Sequence, residues 1–379
     1  MDTQETQNDA VLFSEVATVS GHKIGIACLN SERSLNALSL DMIQLLQPQL
    51  LAWQDDPEIA CVWLEGAGEK AFCAGGDIVA MYHAMKELPN APATEVVDFF
   101  TAEYRLDYLI QTYAKPLLVW GDGFVMGGGM GLMNGASHRV VTERSRLAMP
   151  EISIGLYPDV GATYFLGQLP DNMGLFVGLT AAHVNAADAL YLGMADFAIP
   201  SEKRDNTLQA LKNASWTADT ELNHATLSDT LQQRIFADDA LDAGYLYENR
   251  ELISKLMAGD NVVDVCAQFL AHETDDSVLQ RAQKTLANGC PLTAHIVWQQ
   301  LQFGGSLTLA EAFRLELTLS VNCSITGDFV EGIRALLIDK DRNPQWSHAG
   351  IAEVSAEDVD ALFIAPWGEE PHPLADLGE

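Results

Sequence analysis

The spacing of apolar residues changes character along this chain. From about residue 11 to residue 200, short apolar runs alternate with amphipathic stretches. "VATVSGHKIGIACLN", Val16 to Asn30, predicts two strands meeting around Ser20-Gly21. "SLDMIQLLQPQLLAWQ", Ser39 to Gln54, predicts a helix that starts at a Ser39 cap and kinks at Pro48. "IACVWLEG", Ile59 to Gly66, predicts a buried strand, and "KPLLVWGDGFV" predicts another that ends in a glycine-rich turn. His138 and Arg139 are expected to close a helix. Such alternation of strands and helices predicts an α/β fold with a substantial sheet. Beyond residue 200 the strand signals fade, and "TLQALKNA", "ENRELISKLMA" and "LAEAFRLELTLSVN" predict helices. The expected organisation is a core over 11–200, a mainly helical part over 201–350 packed on it, and an acidic tail over 351–379.

Composition narrows the function classes. The 379 residues carry 53 acids and 21 bases, a formal net charge of -32. Such a surface repels nucleic acid phosphates and anionic lipid, so neither is an expected partner. An anionic ligand would need a local basic patch. No apolar run is long enough to span a bilayer. The first residues, "MDTQETQND", lack the features of a secretory or transit signal, so a cytoplasmic location is expected. Cys28, Cys61, Cys73, Cys266, Cys290 and Cys323 form no C-x-x-C pair, which fits buried thiols in a reducing compartment. The nine histidines show no H-x-x-H spacing, and no metal site is expected.

Two glycine-rich turns follow predicted strands. One is Ala74-Gly75-Gly76-Asp77, and the other is Gly127-Gly128-Gly129. Glycine lets backbone approach a ligand closely, and amides at a helix start point toward negative charge. Neither turn fits a nucleotide-binding motif. Each could offer one N–H to a developing oxyanion, although tight strand–helix packing would also explain such glycines. Downstream lies "MPEISIGLYPDVGATYFLG", where Glu151 and Asp159 each follow a proline in an otherwise uncharged stretch. A carboxylate buried there must be neutralised or used. Alternatively, Glu151 could serve a helix dipole and Asp159 could cap the following helix. Glu103, beside Arg105, could be a surface acid, and Cys73 is expected to be a small buried thiol. Asp328, Glu331 and Arg334 suggest an ion-pair cluster bracing the C-terminal part.

Together "NALS", "AFCAGGDI", "GFVMGGGMGL" and "AMPEISIGLYPDVG" resemble the crotonase (enoyl-CoA hydratase/isomerase) superfamily. The stretch "GDFVEGIRALLIDKDRNPQW", Gly327 to Trp346, is similar to the tail of the 3-hydroxyisobutyryl-CoA hydrolase branch, the thioesterases of valine breakdown. The likeness runs from about residue 12 to about residue 350. It implies a ββα superhelix core with a mostly helical C-terminal part, an acyl-CoA substrate, and no cofactor beyond the coenzyme A carried by that substrate. Homo-oligomer formation is left open. By the same resemblance the Gly76 and Gly128 amides form the oxyanion hole, Glu151 and Asp159 are the catalytic acids, and Glu103 contacts substrate. Ala74, Gly76, Asp77 and Ile78 line the adenine site. Arg33 stands where a basic residue meets the coenzyme A phosphates, although the segment before it reads Asn30-Ser31-Glu32 in place of the usual Asn-Arg-Pro. Gly131 occupies the position of a glutamate that hydratases use, and Asp159 stands where hydratases have glycine. The implied reaction is hydrolysis of a short-chain hydroxyacyl-CoA. Isomerisation or hydration of an enoyl-CoA is the alternative within the family, and a non-catalytic binder of CoA esters or RNA is the alternative outside it.

Overall fold

A computed structural model describes residues 10–89, 91–237, 240–303 and 305–378. The segment read above for targeting signals lies outside the described residues. In chain order the strands are β1 (Val11–Ala17), β2 (Lys23–Leu29), β3 (Ile59–Gly66), β4 (Ala71–Cys73), β5 (Leu117–Gly121), β6 (Phe124–Met126), β7 (His138–Val141), β8 (Arg146–Ala148) and β9 (Phe197–Ala198). The helices begin with α1 (Leu40–Asp55), α2 (Ile78–Glu87), α3 (Thr94–Gln111), α4 (Gly128–Asn134), α5 (Ala162–Phe165) and α6 (Met173–Thr180). They continue with α7 (Ala186–Tyr191), α8 (Arg204–Lys212), α9 (Thr220–Gln232), α10 (Tyr245–Glu248), α11 (Arg250–Leu256) and α12 (Val262–Ala271). The last five are α13 (Ser277–Asn288), α14 (Pro291–Phe303), α15 (Leu309–Cys323), α16 (Asp328–Ile333) and α17 (Ala356–Leu362).

Two compact units interleave along the chain. The first comprises Met1–Gly76, Leu109–Arg146 and Asn185–Ala243, and the second comprises Asp77–Tyr108, Leu147–Val184 and Gly244–Glu379. The boundary expected near Pro200 therefore falls inside the first unit. Loss of strand signal marks a change in local structure, whereas these units are set by which segments return to pack together.

The first unit is built on a six-stranded sheet of order β1-β2-β3-β5-β7-β9. β1 and β2 form an antiparallel hairpin, with Gly21 at a φ of 92° in the turn, and the remaining neighbours pair in parallel. Parallel strands are covered on both faces, which explains why β3 is buried over almost its whole length. Trp63 and Trp120 stack at 5.3 Å in this core, with Leu211, Trp216, Leu227 and Leu231 packed around them. Helix α1 starts where expected, the Ser39 hydroxyl accepting from the Met42 amide at 3.2 Å. It runs through Pro48 without interruption, burying Met42, Ile43, Leu46, Leu50 and Trp53. His138 and Arg139 do not end a helix. They open β7, where Arg139 pairs with Asp196 at 2.7 Å. Two apolar residues follow them, and pairing with β5 decides the local structure.

The second unit is mostly helical. Helix α15 is enclosed almost all round, so Glu316 and Ser320, one turn apart, sit among apolar neighbours with no exposure. The C-terminal stretch is no free tail. Arg105 pairs with Asp376 at 2.6 Å, and Arg314 donates to the Leu377 carbonyl at 3.0 Å. The expected Asp328–Glu331–Arg334 cluster is only partly formed. Arg334 bonds Glu331, Asp339 and Asp341, while buried Asp328 instead accepts from the amide and hydroxyl of Ser347. Asp328 opens α16 on the side facing the returning chain, which satisfies it without a cation.

Candidate active site

In the first unit the two glycine turns stand at strand ends, as the sequence suggested. β4 and β6 pair in parallel, and each runs into its turn. Gly75 has a φ of 106° and Gly127 a φ of 47°, conformations that glycine adopts without steric cost. The Leu38 amide donates to the Gly75 carbonyl at 2.8 Å and the Ala74 amide to Leu35 at 3.1 Å. The chain around Arg33 is thereby tied to the Ala74–Gly76 turn. Arg33 is exposed on a 3-10 turn, Glu32–Ser34. Asn36 anchors that segment, its side chain bonding the Ser31 amide and the Ala67 and Ala71 carbonyls. Gly128 and Gly129 open α4, and the first amides of a helix have no partner within it. A side chain at Gly129 would meet the Cys73 carbonyl oxygen at 2.3 Å, so that glycine is required for packing. Cys73 itself is buried, as expected. Gly131 is buried inside α4.

The second unit gathers the acids. Asp77 and Ile78 stand at the start of α2, Asp77 exposed, with no capping hydrogen bond from its side chain. Glu103 is a buried residue of α3, 2% exposed, and does not pair with Arg105. Glu151 opens a 3-10 turn, Glu151–Ile154, that ends at Gly155 with a φ of 72°. A Cβ at Gly155 would lie 2.5 Å from the Asp328 carbonyl oxygen, so both space and conformation demand glycine. Glu151 is 4% exposed and its Oε2 has no hydrogen-bond partner.

Asp159 is 3% exposed. Its side chain does not cap α5. Its backbone carbonyl accepts from Ala162 at 2.9 Å, while its carboxyl oxygen lies 2.7 Å from the Tyr104 hydroxyl. The next residue, Val160, has a φ of 54°, a conformation that costs a branched residue about 1–3 kcal/mol. Glu316 holds the chain in this shape, one carboxyl oxygen accepting from Gly161 N at 2.7 Å and the other from Thr163 N at 2.8 Å. Gln300 of α14 adds a bond to the Pro158 carbonyl at 2.5 Å.

Sequence reasoning missed Tyr104, Asp107, Tyr157, Glu316 and Ser320. The signal for Asp107 was available. Glu103 and Asp107 are four apart and fall on the apolar face of α3, with Phe99, Phe100 and Ile110. Asp107 is 1% exposed and neither carboxyl oxygen has a partner. Glu316 likewise occupies a core position of α15.

So many acids in one dry region cannot all ionise. Burial pushes Glu103, Asp107 and Glu151 well above the usual carboxylate range, and the charge of Asp159 pushes each further. Asp159 is raised by burial to about 6, with the Tyr104 hydroxyl and its own amide opposing. Glu316 is raised by burial to about 8, its two amide donors opposing. Glu151 and Asp159 thus form a pair whose protons are shared according to their surroundings. Such a pair can take a proton in one step of a reaction and return it in the next.

A sequence profile of the enoyl-CoA hydratase/isomerase family matches residues 24–363. The chain belongs to that family. It is 38% identical to a mitochondrial 3-hydroxyisobutyryl-CoA hydrolase of Danio rerio over 353 residues, 93% of this chain and 89% of that protein. The human protein of the same name is 36% identical over 89% of this chain and 86% of its own length. Among solved structures, a protein from Mycobacterium thermoresistibile described as a carnitinyl-CoA dehydratase is 34% identical. It covers 98% of this chain and 100% of its own, with a TM-score of 0.85. Another from Rhodobacter sphaeroides, described as an enoyl-CoA hydratase, is 34% identical over 95% of this chain and 98% of its own, with a TM-score of 0.80. The expected mixed α/β fold with a helical C-terminal part is the fold of this family. Among the described residues no helix is long and apolar enough to cross a membrane.

Proposed function

We propose that this chain hydrolyses the thioester of a short-chain hydroxyacyl-CoA, 3-hydroxyisobutyryl-CoA before others, giving 3-hydroxyisobutyrate and coenzyme A in valine catabolism. The observation that carries this reading is the pair of buried acids on one short segment, Glu151 with an unpartnered oxygen and Asp159 held by Tyr104. The hydrolase relatives at 36–38% identity support it. In this reading the amides of Gly76 and Gly128 hold the thioester carbonyl as it becomes an oxyanion. Donors of that kind are worth roughly 3–4 kcal/mol each. Glu151 either takes the proton of an attacking water or attacks the carbonyl carbon itself. The C–S bond then breaks, and Asp159 delivers a proton to the departing sulfur. Where Glu151 has attacked, water then cleaves the resulting anhydride and restores its carboxylate, so on either route one thioester and one water give a carboxylic acid and a thiol. Glu103 contacts the acyl group. Ala74, Gly76, Asp77, Ile78 and Arg33 receive the coenzyme A moiety, and no further cofactor takes part. Within the acyl group, the 3-hydroxyl meets Asp159.

A second reading, hydration of an enoyl-CoA, is favoured by the names of the two solved structures. Gly131 counts against it, since hydration uses a second glutamate at that position. We also propose a reducing, cytoplasmic setting, supported by six cysteines that form no disulfide. The mitochondrial location belongs to the relatives' names. The test is thiol release from a panel of acyl-CoA esters, with the enoyl absorbance of crotonyl-CoA followed in parallel. Thiol release from the hydroxylated esters is expected. Water addition to crotonyl-CoA without thiol release would overturn the proposal in favour of the second reading.

A further inference from the structure

The hydrolysis proposed above needs one proton on the Glu151–Asp159 pair, and the chemistry differs according to which acid holds it. The surroundings of Asp159 decide this by counting hydrogens. Four short contacts run in a line behind it. Asp159 Oδ2 lies 2.7 Å from the Tyr104 hydroxyl, which lies 2.6 Å from Ser320 Oγ. Ser320 Oγ lies 2.9 Å from the Tyr157 hydroxyl, which donates to the backbone carbonyl of Glu316 at 2.7 Å. The three hydroxyls supply three protons. The line ends on a carbonyl, which only accepts. With Asp159 ionised, both ends accept, and three protons must serve four contacts. One buried oxygen–oxygen approach is then left without a hydrogen. A proton on Asp159 supplies the fourth, and every link then donates in one direction, from Asp159 through Tyr104, Ser320 and Tyr157 to Glu316.

We infer that the resting protein carries the pair's proton on Asp159, the head of this one-way chain, and the negative charge on Glu151. This inference rests on the proposed hydrolysis for its catalytic meaning, and on the four contacts alone for its protonation state. Tyr104, Ser320 and Tyr157 are positioning residues, since they act through Asp159. The charged and titratable groups acting in this region are Glu103, Asp107 and Tyr104 from α3, Glu151 from its turn, Tyr157 from the same loop, and Glu316 and Cys323 from α15. None of these is a cation; the Tyr104 hydroxyl and the residue's own amide act toward a carboxylate and hold Asp159 to about 6, and the hydrogen wanting in the line acts the other way. With Asp159 neutral, its share of the repulsion that adds to burial in raising Glu151 is lifted, which favours Glu151 as base or nucleophile. Asp159 is then ready to protonate the departing sulfur, and it recovers a proton when the Glu151 proton or the product acid leaves.

The chain makes a prediction whose sign a structural role would not produce. Ser320→Ala removes the middle link. Tyr104 can then donate to an ionised Asp159, and Tyr157 to Glu316, with no contact left over. The proton affinity of Asp159 should therefore fall by roughly one pH unit, the worth of about one net hydrogen bond. Tyr157→Phe should act in the same direction, since Ser320 then donates back toward Tyr104. If Ser320 instead served only to strengthen Tyr104 as a donor to a carboxylate, its loss would raise the affinity. Infrared difference spectra of the unliganded protein read the carbonyl stretch of a protonated carboxyl directly, and Asp159→Asn assigns the band. The band is expected in the wild type at neutral pH and should titrate away at lower pH in both variants. In parallel, the alkaline limb of the thiol-release profile should move down in both. An Asp159 band absent from the wild type, or unmoved or moved upward in the variants that fold, would overturn the inference. The band behaving as expected without any thiol release would leave the proton chain standing and refute the hydrolase reading instead.

Discussion

Replacing Glu316 by alanine tests whether the loop carrying Asp159 is shaped from behind. The side chain has no exposure, and its two oxygens accept from Gly161 and Thr163 at 2.7 and 2.8 Å. Alanine leaves two amides unpaired in a dry site, each costing about 1–3 kcal/mol. The unfavourable φ of Val160 then loses the clamp on its C-terminal side, so the loop can relax by about 1–3 kcal/mol and recover part of that loss. Removal of a buried acid recovers a little more. The net cost should be about 1–3 kcal/mol, and the relaxed loop should carry Asp159 away from Tyr104. A displacement of about 1 Å at a reacting group costs roughly a hundredfold in rate. Glutamine separates shape from charge. It keeps one acceptor and cannot ionise. The acid's affinity is raised in the folded state to about 8, so its contribution to stability is full below the unfolded value of 4.5 and is lost as pH rises through about 8. The wild type should therefore lose stability between about pH 5 and pH 9, and Glu316→Gln should lose less over that range. Urea midpoints across pH, with thiol release measured on the same samples, check both claims. Wild-type stability and rate in Glu316→Ala would refute the clamp, and parallel pH curves for wild type and Glu316→Gln would refute the buried acid.

Other outcomes follow from the same geometry. Glu151→Gln should keep the fold, because it replaces an oxygen that has no partner, while thiol release falls by roughly 10²–10⁴; near-normal turnover in a folded variant would remove Glu151 from the mechanism. Gly128→Pro deletes an amide at the first position of α4, so hydrolysis should drop; Gly128 is buried behind Gly127 at a φ of 47°, so melting temperature is read on the same variant. Persistent turnover in that variant would place the oxyanion elsewhere. A 3-hydroxylated ester should be cleaved roughly a hundredfold faster than isobutyryl-CoA, because the plain ester leaves the polar group of Asp159 unpaired, and Asp159→Ala should flatten that preference.

The fold was legible where local pattern and packing agree. The β1–β2 hairpin, the Ser39 start of α1 and the buried run of β3 all carry their cause within a few residues. Pro48 does not end α1, whose buried face carries Leu46, Leu50 and Trp53 on either side of it. His138 and Arg139 misled because their neighbours could suit either structure, and β5, seventeen residues or more upstream, supplied the deciding partner. The interleaved units could not be read at all from composition. Their boundaries fall after Gly76, Tyr108, Arg146, Val184 and Ala243, one of them inside α3, and no shift of composition marks them.

The site divides along the same line. Glu151 and Asp159 stood out because they are the only acids between Arg146 and Asp171, in a stretch that otherwise reads as core. What such acids do depends on what surrounds them, and that comes from far away. Tyr104 is 55 positions before Asp159, and Glu316 and Ser320 are on a helix more than 150 positions after it. Each of these looks unremarkable in its own segment: a tyrosine beside a glutamate, a glutamate in a helix, a serine among leucines and valines. Their meaning appears only when α3 and α15 are brought against the loop, where the glutamate becomes an anchor for backbone amides and the two tyrosines and serine become a line of hydroxyls. The local sequence thus names the groups able to react, and the distant helices determine which of them holds the proton. A close relative that kept Glu151 and Asp159 but replaced Ser320 by alanine would share the reactive groups, yet should work best at a lower pH.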